Sequence, residues 1–233
     1  MHLFDDPQLQ CKLDRIRMIC FDVDGTLIDD HGGSANIWES LHRAFGVTEE
    51  ENRKRVDHFF SGRITYAEWV DVDVGHWQLL GVTRADMLEV INRLGPVKGA
   101  PEAVANLSAR GYKLAVISGS IDLGLETIFP GHPFKPVYIN RIEFDANGLI
   151  CGWRATPFDL ARKESALRLI AEEAEMDLEQ CAFVGDNFND VTAVQSAGVG
   201  IAIASKCPEL TAVCDIHLEE RCLDPLNDIF PGF

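Results

Sequence analysis

The sequence predicts an α/β protein, a doubly wound parallel sheet with a helical insert after its first strand. Three features point there. Two short apolar runs, Met18-Ile19-Cys20-Phe21 and Cys181-Ala182-Phe183-Val184, each lead into closely spaced aspartates. Helix and strand patterns alternate after Pro96, as in a parallel sheet covered on both faces. Residues 33–94 hold helical periodicity and no convincing strand.

The first strand ends in Phe21-Asp22-Val23-Asp24-Gly25-Thr26-Leu27. Asp22 and Asp24 lie two apart, so both can project toward the C-terminal edge of the sheet, where open α/β sheets bind ligands. The insert follows, with capping-box spacings at Thr48/Glu51 and Thr65/Glu68 and with Gly32-Gly33 and Gly95-Pro96 as candidate hinges. Residues 101–110 read as a helix that begins at a proline and stops at Gly111. A strand over 112–118 then runs into the small-residue turn Ser118-Gly119-Ser120, with a helix over 121–129 behind it. Residues 138–144 and the turn Asp145-Ala146-Asn147-Gly148 read as a hairpin. An amphipathic helix over 163–175, opened by Lys163, precedes the strand over 181–185, which ends in Gly185-Asp186-Asn187-Phe188-Asn189-Asp190. A short helix over 191–197 and an apolar run over 199–204 complete the core, and residues 1–15 form a polar lead-in with no assigned role.

Composition narrows the function. A chain of 233 residues with 46% apolar content can bury a proper core. The formal net charge of −16 argues against a nucleic-acid or anionic-membrane partner, since such binding needs surplus Lys and Arg. Seven scattered cysteines without a C-x-x-C pair suggest neither a zinc site nor a disulfide framework, and reduced thiols in a cytoplasmic protein are expected. No signal peptide and no run near the ~20 apolar residues of a membrane span is visible.

The four separated pieces, Asp22-Val23-Asp24-Gly25-Thr26, Ser118-Gly119-Ser120, Lys163 and Gly185-Asp186 with Asp190, resemble in order the motifs of the haloacid dehalogenase superfamily, in its phosphoserine-phosphatase-like branch. The resemblance runs from about Arg17 to the end of the chain. It implies a Rossmann-like core over 16–31 plus 97–233 and a small helical cap over 32–96. It also implies a Mg²⁺-dependent hydrolase of small phosphomonoesters. Asp22 would be the nucleophile that forms an aspartyl-phosphate, and Asp24 the acid and then the base. For Asp24 to hold a proton near neutrality its pKa must rise from ~3.9, which neighbouring carboxylates can achieve. Asp22, Asp186 and the main-chain oxygen of Asp24 would ligate the metal, with Asp190 direct or through water. Ser118, the Gly119 N–H and Asn189 would bind phosphate or substrate, and Lys163, rather than the adjacent Arg162, would offset the gathered negative charge.

The same resemblance frames substrate choice. His31 stands where the branch commonly carries an acid for the substrate amine, and Asp73 falls near its carboxylate-binding arginine, with Arg63 as an alternative cation. Asp73 among tryptophans must reach solvent, meet a basic residue or face the cavity. Phosphoserine phosphatase proper, a phosphotransferase or mutase, and a receiver-like phosphoacceptor domain are the alternatives. Asp24 and the insert argue against the receiver, which benefits from a long-lived phosphoaspartate.

Overall fold

A computed structural model describes residues 6–30 and 36–232. Helix α1 (Pro7–Leu13), capped by the Asp6 side chain, precedes β1 (Met18–Phe21) and the two-residue strand β2 (Ile28–Asp29). Then come α2 (Ile37–Ala44), α3 (Glu49–Phe60), α4 (Tyr66–Leu79) and α5 (Arg84–Ile91), after which β3 (Gly95–Pro96) pairs antiparallel with β2. The polar lead-in thus contains a helix. One expected hinge is a strand that ties the two ends of the insert together, whereas Gly32-Gly33 and His31 lie outside the described residues.

The insert is helical for local reasons. Thr48 and Thr65 each form the reciprocal bond with a glutamate three residues on, at α3 and α4, and Thr83 does the same with Asp86 at α5.

The core continues through α6 (Ala100–Ala109), β4 (Lys113–Ile121), α7 (Asp122–Ile128), β5 (Val137–Phe144), β6 (Ile150–Arg154) and α8 (Lys163–Glu173). It ends with β7 (Cys181–Gly185), α9 (Val191–Ser196), β8 (Val199–Ile203), α10 (Pro208–Val213), β9 (Ile216–Leu218) and α11 (Leu226–Ile229). The seven-stranded sheet has the order β6-β5-β4-β1-β7-β8-β9. All of its pairings are parallel except the β5–β6 hairpin. The chain passes from β1 to β4 on one side and to β7 on the other, which places the end of β1 at the point where winding reverses.

Alternation along β1 explains the two-sided core. Ile19 and Phe21 pack with α6, α11 and the inserted helices, through Val104, Leu226, Val74 and Trp77, while Met18 and Cys20 pack against α8, α9 and α10, through Leu167, Val194 and Leu210. All four β1 residues are buried, as a strand covered on both faces must be.

One boundary differs from the sequence reading. Strand β4 does not stop at Ser118 but continues through the small-residue segment to Ile121, with its register against β5 shifting between Ile117 and Ile121, so the following helix begins only at Asp122. The register shift lets Ser118 and Gly119 leave the regular pairing and turn to the sheet edge. Among the described residues no helix is long and apolar enough to cross a membrane.

Candidate active site

The strand ends build one cavity of about 410 Å³ between the sheet edge and the inserted helices. Asp22, Asp24, Ser118, Gly119, Asp186 and Asn189 all line it. Lys163 lies beneath the cavity's floor, fully buried behind Asp22, with Nζ 2.8 Å from Asp22 Oδ1 and 2.7 Å from Asp190 Oδ1. Arg162, by contrast, is exposed.

Backbone geometry accounts for the acids' placement. The Asp22 N–H donates to Val184 O at 3.0 Å, extending the sheet one residue past β1. The N–H groups of Thr26, Leu27 and Ile28 then converge on the Val23 carbonyl, folding a tight turn that keeps Asp22 and Asp24 on the cavity side while Val23 is buried in the core. Asp24 accepts a hydrogen bond from the Ile37 N–H at the start of α2, at 3.1 Å.

Asp190 works twice. One oxygen takes the Lys163 ammonium, and the other accepts the N–H groups of Asp186 at 2.9 Å and Asn187 at 3.1 Å. It therefore does cap its own loop, as helix-start aspartates do, while holding Lys163 in place. Gly185 allows this approach, since a side chain there would strike the Asp190 carboxylate.

Crowded carboxylates in a buried place are hard to ionise. Burial, followed by the charge of Asp22, raises Asp24 to about 7. Burial, then Asp190 and Asp22, raises Asp186 to about 8. Burial works against the charged form of Lys163, yet Asp190, Asp22 and Asp159 outweigh it and hold the ammonium above the ordinary lysine range. The oxygens of Asp22, Asp186 and Asp190 gather within 4.8 Å of one another, and Asp22 Oδ1 is buried without an aligned hydrogen bond despite its ion pair. An all-oxygen, net-negative cluster suits a hard divalent cation.

The cap-side candidates part company. Asp73 does not line the cavity. Buried on α4, it forms an ion pair with Arg55 of α3, and His42 Nε2 approaches it at 3.3 Å without hydrogen-bond alignment. Of the three fates open to this acid, meeting a basic residue is the one realised. Arg63 is exposed and borders a separate depression with Lys54, Asp57, His58 and Ser61.

Several residues outside the four motifs complete the site, among them Tyr66, whose helical spacing with Trp69 and Trp77 reads most simply as core of the insert. Trp38 Nε1 donates to Gly119 O at 2.7 Å, Tyr66 Oη lies 3.3 Å from the same carbonyl, and Asn140 Nδ2 reaches both Gly119 O at 2.5 Å and Tyr66 Oη at 2.7 Å. The Asp159 carboxylate abuts the Gly119 Cα so closely that a Cβ there would collide with it, and Asn189 Nδ2 donates to Asp159 Oδ1 at 3.3 Å. Leu160, next to Asp159, holds φ at +54°, a left-handed conformation costly for a leucine, which marks this loop as constrained. Arg221 donates to Gly25 O and lies 3.5 Å from Asp186 Oδ2. A signal existed for Asp159, only four residues before Lys163; nothing local marked Trp38 or Arg221.

Comparison with known proteins agrees with this architecture. A family model described as haloacid dehalogenase-like hydrolase matches residues 16–198. Phosphoserine phosphatase of Methanocaldococcus jannaschii is 28% identical over 207 residues, covering 89% of this chain and 94% of its own. That of Lactococcus lactis subsp. lactis is 26% identical over 206 residues, covering 88% and 91%. Among solved structures, a phospho-aspartyl intermediate analogue of phosphoserine phosphatase superposes with a TM-score of 0.68 at 26% identity, covering 91% of this chain and 98% of its own. A substrate-bound phosphoserine phosphatase complex gives 0.71 at 25% identity, covering 91% and 97%. With the four motifs meeting at one sheet edge and a matching model over most of its length, the chain belongs to the haloacid dehalogenase-like hydrolases, in their phosphoserine-phosphatase-like branch, and is a phosphatase.

Proposed function

We propose that the protein is a Mg²⁺-dependent hydrolase of a small phosphomonoester that works through a phosphorylated Asp22, in a cytoplasmic setting, with residues 32–96 acting as the cap over a core of 16–31 and 97–233. The observation that carries this reading is the pairing of two unequal acids at one strand end. Asp22 is held by Lys163 at 2.8 Å, and Asp24 is raised to about 7, so one carboxylate is oriented for attack while its neighbour keeps a proton near neutrality.

Asp22, Asp186 and the main-chain oxygen of Asp24 would hold the cation, with Asp190 behind them. When bound, it supplies positive charge that lets an anionic carboxylate approach a phosphate dianion. The chain's own residues account for the rest. Asp22 attacks phosphorus, the bond from phosphorus to the ester oxygen breaks, and Asp24 gives its proton to the leaving alkoxide. Asp24, now a base, takes a proton from the incoming water. That water attacks phosphorus, and the bond to Asp22 breaks with release of phosphate. Lys163 offsets charge at Asp22 throughout, and Ser118 with the Gly119 N–H offers donors to the phosphate oxygens.

The test is hydrolysis of an aryl phosphate with Mg²⁺, with excess chelator and with Ca²⁺, alongside intact-mass detection of a phosphorylated chain that Asp22→Asn does not form. Activity in excess chelator, or a phosphoenzyme that survives Asp22→Asn, would overturn the reading.

A further inference from the structure

The relatives compared above are phosphoserine phosphatases, and phosphoserine carries a carboxylate that needs a cation inside the pocket. The one basic side chain that the described residues of the inserted helices bring to the lining, His42, lies with its Nε2 3.3 Å from Asp73. Among the described residues they contribute no Lys or Arg to the cavity lining: Arg55 is turned into the ion pair with Asp73, and Arg63 faces elsewhere. Arg221 lines the cavity at the metal end, engaged by Gly25 O and Asp186. What the insert does contribute is aromatic surface, from Trp38, Phe60, Tyr66 and Trp69, and one further acid, Glu39.

These rings are positioned rather than incidental. Trp38 and Tyr66 both aim their polar tips at the Gly119 carbonyl, the residue whose Cα the Asp159 carboxylate abuts. Two ring systems and an acid therefore meet directly beside the phosphate-binding turn, where the organic part of a bound ester begins. Aromatic faces attract a desolvated cation by ~0.5–2 kcal/mol, and a nearby carboxylate adds to that. A substrate carboxylate in the same place would lose water against the like charge of Asp159.

Resting on the reading that the cavity hydrolyses phosphomonoesters, we infer that its preferred substrate is a phosphorylated amino alcohol, whose ammonium group is held by the Trp38, Tyr66 and Trp69 rings with Asp159 as counter-charge, and that carboxylate-bearing esters are disfavoured. Trp69 is the cleanest residue for testing this, because its Nε1 has no hydrogen-bond partner to lose. Asp159 is the second, read through a ratio of substrates because its charge also acts on Lys163.

The experiment compares kcat/KM for choline phosphate and ethanolamine phosphate with that for 3,3-dimethylbutyl phosphate, the uncharged carbon isostere of choline phosphate, and with phosphoserine. The ammonium esters are expected to exceed both others by at least about tenfold, ~1.4 kcal/mol in the transition state. Trp69→Leu and Asp159→Asn should each bring the ratio of choline phosphate to its isostere close to one, while Trp69→Phe keeps it. An isostere used as well as choline phosphate, phosphoserine leading the panel, or a ratio unmoved by both variants overturns the inference even though hydrolysis proceeds. Failure to hydrolyse any ester, the aryl phosphate included, removes the hydrolase reading instead. Calorimetric binding of choline phosphate and its isostere to Asp22→Asn then decides the pocket's preference independently of turnover.

Discussion

The floor and the wall of the cavity are made by opposite means. The floor gathers charges that are almost never buried, Asp22, Asp190 and Lys163, and makes them tolerable by pairing each with another. The wall, formed by Trp38, Tyr66 and Trp69, is ring surface, and the polar tips of Trp38 and Tyr66 tie it to the core at a single carbonyl. Charge held in a rigid sheet edge suits a reaction common to many esters. Ring surface on the inserted helices suits choice among them, because its contribution depends on what the ester carries beyond phosphorus.

Substitutions on the floor should therefore affect every substrate, and the largest effect is expected at Asp22. Asp22→Asn removes the proposed nucleophile with little change of shape, and kcat on an aryl phosphate should fall by about 10⁴, ~5.4 kcal/mol. Retention of more than a tenth of the activity would place the nucleophile elsewhere. Lys163→Met should come next, and should appear in stability as well as rate. Both carboxylates lose their buried cation, at a cost of ~3–5 kcal/mol, which chemical denaturation can read. Arg162→Met, one residue away and exposed, should stay within ~0.5 kcal/mol. Equal losses at the two positions would mean that the pairing of floor charges is not what stabilises them.

Asp24 sharpens the comparison by separating steps. Its folded pKa of about 7 lies above the ordinary carboxylate value, so the proton-donating form prevails below that pH and is lost above it. Turnover of an alkyl phosphate should decline on the alkaline side of about pH 7, and Asp24→Asn should cost roughly 10² and abolish that limb. An aryl phosphate, which leaves without a proton, should show a smaller loss in phosphoenzyme formation than in its breakdown by rapid quench.

Asp186 tests the metal fit without turnover. Its pKa is raised to about 8 in the fold, first by burial and then by Asp190 and Asp22, against ~3.9 when unfolded. The folded state thus binds the extra proton, and the metal-free protein should lose stability as pH climbs from about 4 to 8. Asp186→Asn should melt higher than the parent at pH 8 in chelator and gain nothing from Mg²⁺. At this chain size each kcal/mol reads as about 2–4 °C. A parent that melts equally at both ends of that range would remove the case for a site built to receive a cation. The smallest effect belongs to the wall: Trp38→Phe keeps the ring but removes the donor to Gly119, and should raise KM by several-fold, ~1 kcal/mol, with kcat nearly unchanged.

Some of this was legible in the chain itself, and the reason is distance along it. Strands β1 and β7 are contiguous apolar runs ending in acids, and the caps of α3 and α4 lie within four residues, so short-range sterics and hydrogen bonding determine them. Asp22, Asp24, Ser118, Lys163 and Asp186 could be named because each sits at the end or start of such an element, and a doubly wound sheet brings those ends to one edge. The same local rules placed the end of β4 three residues early, since small residues suit a turn and an irregular strand alike. Tertiary structure alone decided the rest. Trp38 meets Gly119 across 81 positions and Arg221 meets Gly25 across 196, and no window of sequence records either encounter. Asp73 reads identically on paper whether it faces substrate or an arginine. Only the packing of α3 against α4 turned it to Arg55, because a buried carboxylate takes whichever cation the fold brings within reach.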